Sequence, residues 1–135
     1  MISRSKKSQT NYFTTSNVVL LKNMKIAVSS TGKNLESRVT EVFGRCPYFL
    51  IVEIEDKKIK GFKAVENLSI NQMGGAGISA AQAIAEKDVK AVITGNIGPR
   101  AVDVFRQFNI QVYKGTGLVK KVLQDFIDNK LSKIQ

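Results

Sequence analysis

Two short apolar runs, Val89–Thr94 and Asn109–Tyr113, are separated by a helical stretch, and helical stretches also flank the pair on both sides. No other feature constrains the fold as tightly. Runs of this length rich in valine and isoleucine suit strands buried on both faces. A helix between two such strands makes them parallel neighbours joined by a right-handed crossover. Pro99 occupies the first helical position of the intervening stretch, where its missing N–H costs nothing, so a helix is predicted over Pro99–Phe108. Gly75–Glu86 is alanine-rich and reads as a helix able to lie close on a sheet. In Leu118–Asn129 the residues Val119, Val122, Leu123, Phe126 and Ile127 keep the spacing of one helical face.

Upstream the pattern turns β-rich. Lys25–Ser29 reads as a buried strand, and Tyr48–Glu55 with Lys58–Val65 reads as a hairpin turning at Asp56-Lys57. The order β, β-hairpin, α, β, α, β, α predicts an α/β domain over residues 24–135, with a mixed five-stranded sheet and helices on its faces. Residues 1–23 are rich in Ser, Thr, Asn and Lys without periodicity, and they read as a flexible basic extension outside the fold.

Composition removes several chemistries. There is one cysteine and no histidine. One chain therefore builds neither an internal disulfide, nor a four-ligand zinc site of cysteine and histidine, nor a Ser-His-Asp triad, nor a four-cysteine iron–sulfur site. No apolar run approaches the ~20 residues that span a bilayer, and the expectation is a cytoplasmic protein with no membrane partner. The net charge is +10, which favours anionic partners without naming one.

Glycines mark the candidate site. Gly74, Gly75 and Gly77 precede and open one helix; Gly95, Asn96 and Gly98 lie between the strand Val89–Thr94 and the next helix, whose first turn carries Arg100. Helix N-termini present unpaired N–H groups and partial positive charge, and a missing Cβ lets an anion reach them. A third turn, Lys114-Gly115-Thr116-Gly117, has the same form. Tight turns and close helix–sheet packing account for the same glycines equally well. Gly75-Ala76-Gly77-Ile78-Ser79-Ala80 fits a loose dinucleotide fingerprint, but no strand delivers the chain into it and no acid follows the next strand, so nucleotide binding is a minor reading.

The stretch "VFGRCPYF", Val42 to Phe49, sets Arg45 and Cys46 on a turn made rigid by Pro47. Thiolate is a soft ligand suited to iron–sulfur clusters or copper(I), whereas a lone cysteine also serves as a small buried hydrophobe.

Taken in order after "MKIAVSS", the stretches "FGRCPYF", "GGAGISAAQAIAEKDVKAVITGNIGPRA" and "VYKGTG…VLQDFI" resemble the dinitrogenase iron-molybdenum cofactor biosynthesis family over about Met24 to Lys130. The small stand-alone members are the nearer match. The resemblance implies a ribonuclease H-like α/β fold with strand order 3-2-1-4-5, the second strand antiparallel. It also implies a nitrogenase accessory role, with an iron-molybdenum or iron–sulfur cluster as cargo and cofactor-assembly or acceptor proteins as partners. Several members carry a histidine before the Phe-Gly of the first motif; here the position is Val42. That leaves Cys46 as the soft metal ligand, with Met73 a weak second.

The leading expectation is a non-catalytic binding or carrier protein for an anionic metal–sulfur cofactor or iron–sulfur precursor. Arg45, Cys46, Gly74, Gly75, Gly77, Gly95, Asn96, Gly98 and Arg100 would form the site, with Cys46 as ligand. An enzyme of nuclease type would need clustered carboxylates that the strands lack. The alternative from another class is a basic interaction module binding nucleic acid or a protein partner, without a cluster. It lacks a platform of stacking aromatics.

Overall fold

Alternating apolar residues build the central strand β1 (Asn23–Ser30): Ile26 and Val28 face one side of the sheet and Ala27 the other. In a computed structural model of the chain, residues 23–134 are described, and they form a six-stranded sheet flanked by helices. Strands β2 (Tyr48–Glu55) and β3 (Lys58–Glu66) follow as an antiparallel hairpin beside β1, and then helix α1 (Ala76–Ala85) crosses to β4 (Ala91–Thr94). Helix α2 (Pro99–Gln107), β5 (Gln111–Lys114), helix α3 (Val119–Ile127) and β6 (Ser132–Lys133) complete the chain. Across the sheet the order is β3-β2-β1-β4-β5-β6, with β1, β4 and β5 parallel.

The expected order 3-2-1-4-5 with an antiparallel second strand is present, but five strands is a correction to six. Ser132 and Lys133 pair antiparallel with Lys114 and Tyr113. Two exposed polar residues carry no strand pattern of their own; the edge of β5 makes them a strand. The extension expected over residues 1–23 lies outside the described residues except for Asn23, which opens β1. No helix among the described residues is long and apolar enough to cross a membrane.

The layers are held by two cores. On one face Ala80, Ala81 and Ile84 of α1 and Ala101 and Phe105 of α2 pack on Ala27, Val92 and Val112. Phe43 keys this layer, its ring 5.2 Å from Phe49 and 5.5 Å edge-on to Phe105. On the other face Val119, Val122, Leu123 and Phe126 of α3 cover Ile26, Val28 and Ile93. Fully burying side chains of this size contributes about 1.5–3 kcal/mol each before chain entropy is charged against it.

The carboxyl ends of β1, β4 and β5 share one edge, and the loop after β1 runs across it. Thr40 N donates to Ser29 O, Gly95 N to Thr40 O at 3.1 Å, Asn96 N to Glu41 O at 2.7 Å and Val39 N to Gly117 O at 2.8 Å. This lacing places the turn at Phe43–Arg45 beside the first turns of α1 and α2.

Candidate functional site

The first turns of α1 and α2 lie side by side and open on a common groove. Its volume is about 370 Å³, and Val42–Arg45, Gly75–Ile78 and Asn96–Ala101 line it. Both helices have glycine at the N-cap with no side-chain cap, and neither has an acid in its first turn. Among the described residues no backbone carbonyl accepts from the N–H groups of Ala76, Gly77, Ile78, Arg100 or Ala101; the helical bonding begins with Ser79 N to Gly75 O and Val102 N to Gly98 O. The groove lining contains two arginines and no carboxylate. Unpaired N–H groups at two helix N-termini, with a guanidinium beside them, favour an anion.

Of the residues singled out from sequence, Arg45, Gly75, Gly77, Asn96, Gly98 and Arg100 meet in this groove, while Cys46, Gly74 and Gly95 do not line it. Gly98 is open: a Cβ there would meet nothing within 4 Å. Gly95 is closed: a Cβ would stand 2.7 Å from Thr40 O, and its own N–H is already donated to that oxygen. Gly75 adopts φ 72, the left-handed region where glycine is at ease. Gly74 is exposed, and its carbonyl accepts from the Gln72 amide at 2.6 Å.

Arg45 lines the groove but is partly committed. Its Nη1 donates to the carbonyls of Ile70 at 2.7 Å and Gln72 at 3.0 Å, pinning the loop that leads into α1. Arg100 has no carboxylate within ion-pair distance among the described residues, which makes it the more available cation. Asn96 holds the turn: its N–H and C=O bond Glu41 and Phe43, and its side-chain oxygen receives Lys114 Nζ at 3.5 Å.

Cys46 is fully buried. Burial pushes its thiol up from 9.0 to about 12, against weaker lowering by hydrogen bonds from the Ser30 backbone and the Asn67 side chain. Its sulfur is turned into the core, where Asn67 Nδ2 approaches it at 3.8 Å. Met73, the weaker soft donor, is 97% exposed. No group of three or more Cys, Asp or Glu side chains able to hold a metal ion occurs among the described residues. A metal cluster reaching this groove would therefore be gripped through its outer sulfur or oxygen atoms by N–H groups and cations, as an assembled anion.

The third glycine turn does not share this character. Val119 N donates to Ser37 O and Lys120 N to Leu35 O, so the first two N–H groups of α3 are taken by the chain itself. A Cβ at Gly115 would lie 2.6 Å from Val122, so that glycine serves helix–strand packing. Sequence reading also missed part of the groove. Gly44 approaches α1 so closely that a Cβ would sit 2.8 Å from Gly77 N, and Val42, Ile78 and Ile97 give the groove an apolar side. No local pattern in the sequence marks these as neighbours.

A mixed-sheet, three-layer α/β domain with an acid-free groove between two helix N-termini is the class that fold and site define. The chain belongs to the dinitrogenase iron-molybdenum cofactor family, which it matches over residues 24–129. It is 40% identical over 119 residues to uncharacterized protein MJ0580 of Methanocaldococcus jannaschii, covering 87% of this chain and 98% of that one. A second protein of that organism, uncharacterized protein MJ0327, is 32% identical over 113 residues, covering 83% and 95%. Among solved structures, the apo form of the orange protein from Desulfovibrio gigas superimposes with a TM-score of 0.74 at 29% identity, covering 82% of this chain and 92% of the other.

Proposed function

We propose that this chain is a non-catalytic binding or carrier protein for an anionic metal–sulfur cofactor or an iron–sulfur precursor, held in the groove between α1 and α2. The observation that carries the reading is the convergence of two uncapped helix N-termini and Arg100 on a lining without acids. The family match supports a metal–sulfur anion, and the orange protein, similar in fold, was solved as an apo form. The apolar flank of Val42, Ile78 and Ile97 suits a polarisable sulfide surface better than a strongly hydrated oxyanion. In this reading Cys46 organises the turn, and the cargo is exchanged with cofactor-assembly or acceptor proteins.

The test is anaerobic titration with extracted iron-molybdenum cofactor and, separately, with a synthetic iron–sulfur cluster, reading metal and sulfide retained after gel filtration. Gly98→Asp places a carboxylate in open space at the groove and should abolish retention with the fold intact. Arg100→Ala should weaken binding by about 1 kcal/mol, roughly fivefold, since the guanidinium is solvent-exposed. Retention by Gly98→Asp equal to that of the parent, or no retention by the parent, removes the reading.

A further inference from the structure

The opposite edge of the sheet carries a second, larger cavity of about 920 Å³, where the amino ends of β4 and β5 meet the carboxyl ends of α2 and α3. Tyr113, Phe126 and Leu131 form its apolar wall, the Tyr113 ring standing edge-on to Phe126 at 5.2 Å. Lys57, Lys90 and Lys133 stand around it, each from a different element: the β2–β3 turn, the approach to β4, and β6.

A minority of the cations among the described residues stand near acids. Lys60, Arg106, Lys120 and Lys121 have carboxylates within ion-pair distance, at Glu55, Asp103, Glu36 and Asp125 respectively. Lys57, Lys90 and Lys133 have none among the described residues. The one acid in the lining, Asp128, receives the Gln124 amide at 3.2 Å on both carboxylate oxygens. Part of the negative potential of the helix ends is offset, because two carbonyls in each last turn are closed by the chain itself: Asn109 N to Arg106 O, Ile110 N to Phe105 O, Asn129 N to Phe126 O and Lys130 N to Asp125 O. An aromatic and aliphatic wall flanked by the unpaired ammonium groups of Lys90 and Lys133 is the complement of one kind of molecule.

We propose that this cavity binds an amphipathic organic carboxylate, its aromatic or branched body against Tyr113, Phe126 and Leu131 and its carboxylate between Lys90 and Lys133. The volume falls within the range typical of small-molecule sites. The site is separate from the groove at the other edge, and nothing in it depends on the metal–sulfur reading.

Naphthalene-2-carboxylate is the probe, titrated into the isotope-labelled full chain by NMR. Saturable one-to-one binding is expected, with a Kd on the order of 1 mM or tighter for a ligand of this size. Shifts should fall on Tyr113, Phe126 and Leu131. The matched naphthalene-2-carboxamide should bind about two- to fivefold more weakly, as partly exposed ammonium groups allow. A Lys90→Gln/Lys133→Gln variant of unchanged thermal stability should erase that difference; should it fold poorly, the carboxylate–carboxamide comparison on the parent decides. Equal affinity for acid and amide, shifts confined to Gly98 and Arg100, or no saturation overturns the proposal. So does probe affinity raised about tenfold by Leu20→Asp/Leu21→Asp, which would make the chain's own N-terminal segment the occupant.

Discussion

Replacing Cys46 by alanine separates a buried structural thiol from a metal ligand, and the separation is readable in pH. In the folded chain the thiol keeps its proton up to about 12, while the reference value for an unburied thiol is 9.0. An acid whose folded pKa is raised gives its full stability below the unfolded pKa and loses it as pH climbs toward the folded one. Between pH 9 and 12 the unfolded chain binds fewer protons than the folded chain, so the slope of unfolding free energy with pH is negative. At pH 10 the loss from this group is on the order of 1 kcal/mol, and at pH 7 it is close to nil. Every other titratable group is common to parent and variant, so the difference between the two proteins isolates the thiol. Urea unfolding of parent and Cys46→Ala at pH 7 and pH 10 should show the parent losing on the order of 1 kcal/mol more than the variant.

The same burial predicts chemistry. A rise from 9.0 to about 12 lowers the thiolate fraction about a thousandfold near neutral pH, before steric cover is counted. Native protein should react with Ellman's reagent only at the pace of unfolding, and urea-unfolded protein at once. Cys46→Ala should also retain the cluster in the groove assay. Loss of the cluster with stability preserved, rapid native labelling, or equal pH slopes in the two proteins would refute the structural assignment and restore the thiol as a ligand.

Gly95→Ala and Gly98→Ala should part company: the first drives a Cβ to 2.7 Å from Thr40 O and should cost about 1–3 kcal/mol, whereas the second enters open space and should leave Tm unchanged or slightly raised. Arg45→Gln removes the Nη1 bonds to the carbonyls of Ile70 and Gln72, and amide exchange across residues 68–74 should quicken while α3 is unaffected. Purified protein should cleave neither nucleic acid nor nucleotides with magnesium or manganese; cleavage abolished by a point substitution in this chain would end the carrier reading. A chain shortened to begin at Met24 should keep its Tm, and a loss of several degrees would show that the preceding residues contribute to the fold.

The fold was legible where periodicity carries it. Apolar runs of four to eight residues, the Ile26/Ala27/Val28 alternation and the one-sided helix at Val119–Ile127 define layers without outside help. What the local sequence hides is distance. Gly95 and Gly98 look alike as letters, yet one is packed against residues 40 and 41 and the other faces open space. Cys46 sits on an ordinary turn, yet it is buried in the core with Ala27, Phe49 and Ala80 and hydrogen-bonded by Ser30 and Asn67, far along the chain in both directions. Gly117 is likewise followed by a helix whose N–H groups are taken by Leu35 and Ser37, so an anion-site pattern becomes a packing device.

One structural choice explains why the glycine turns part into two groups. In open α/β sheets, ligands settle in the crevice beyond the carboxyl ends of the strands. Here the chain fills that crevice itself: residues 38–43 run across β1, β4 and β5, bridging Val42 to Asn96 and Arg38 to Leu118. The Gly95 N–H and the Gly117 carbonyl are used in that lacing. The available N–H groups are displaced sideways, to the first turns of α1 and α2. Gly44 lets the end of the same loop come up against Gly77 without a side chain between them. The loop that closes the usual position thus forms one wall of the groove and delivers Arg45 to it, and that is why half of the glycine pattern reads as architecture and half as a site.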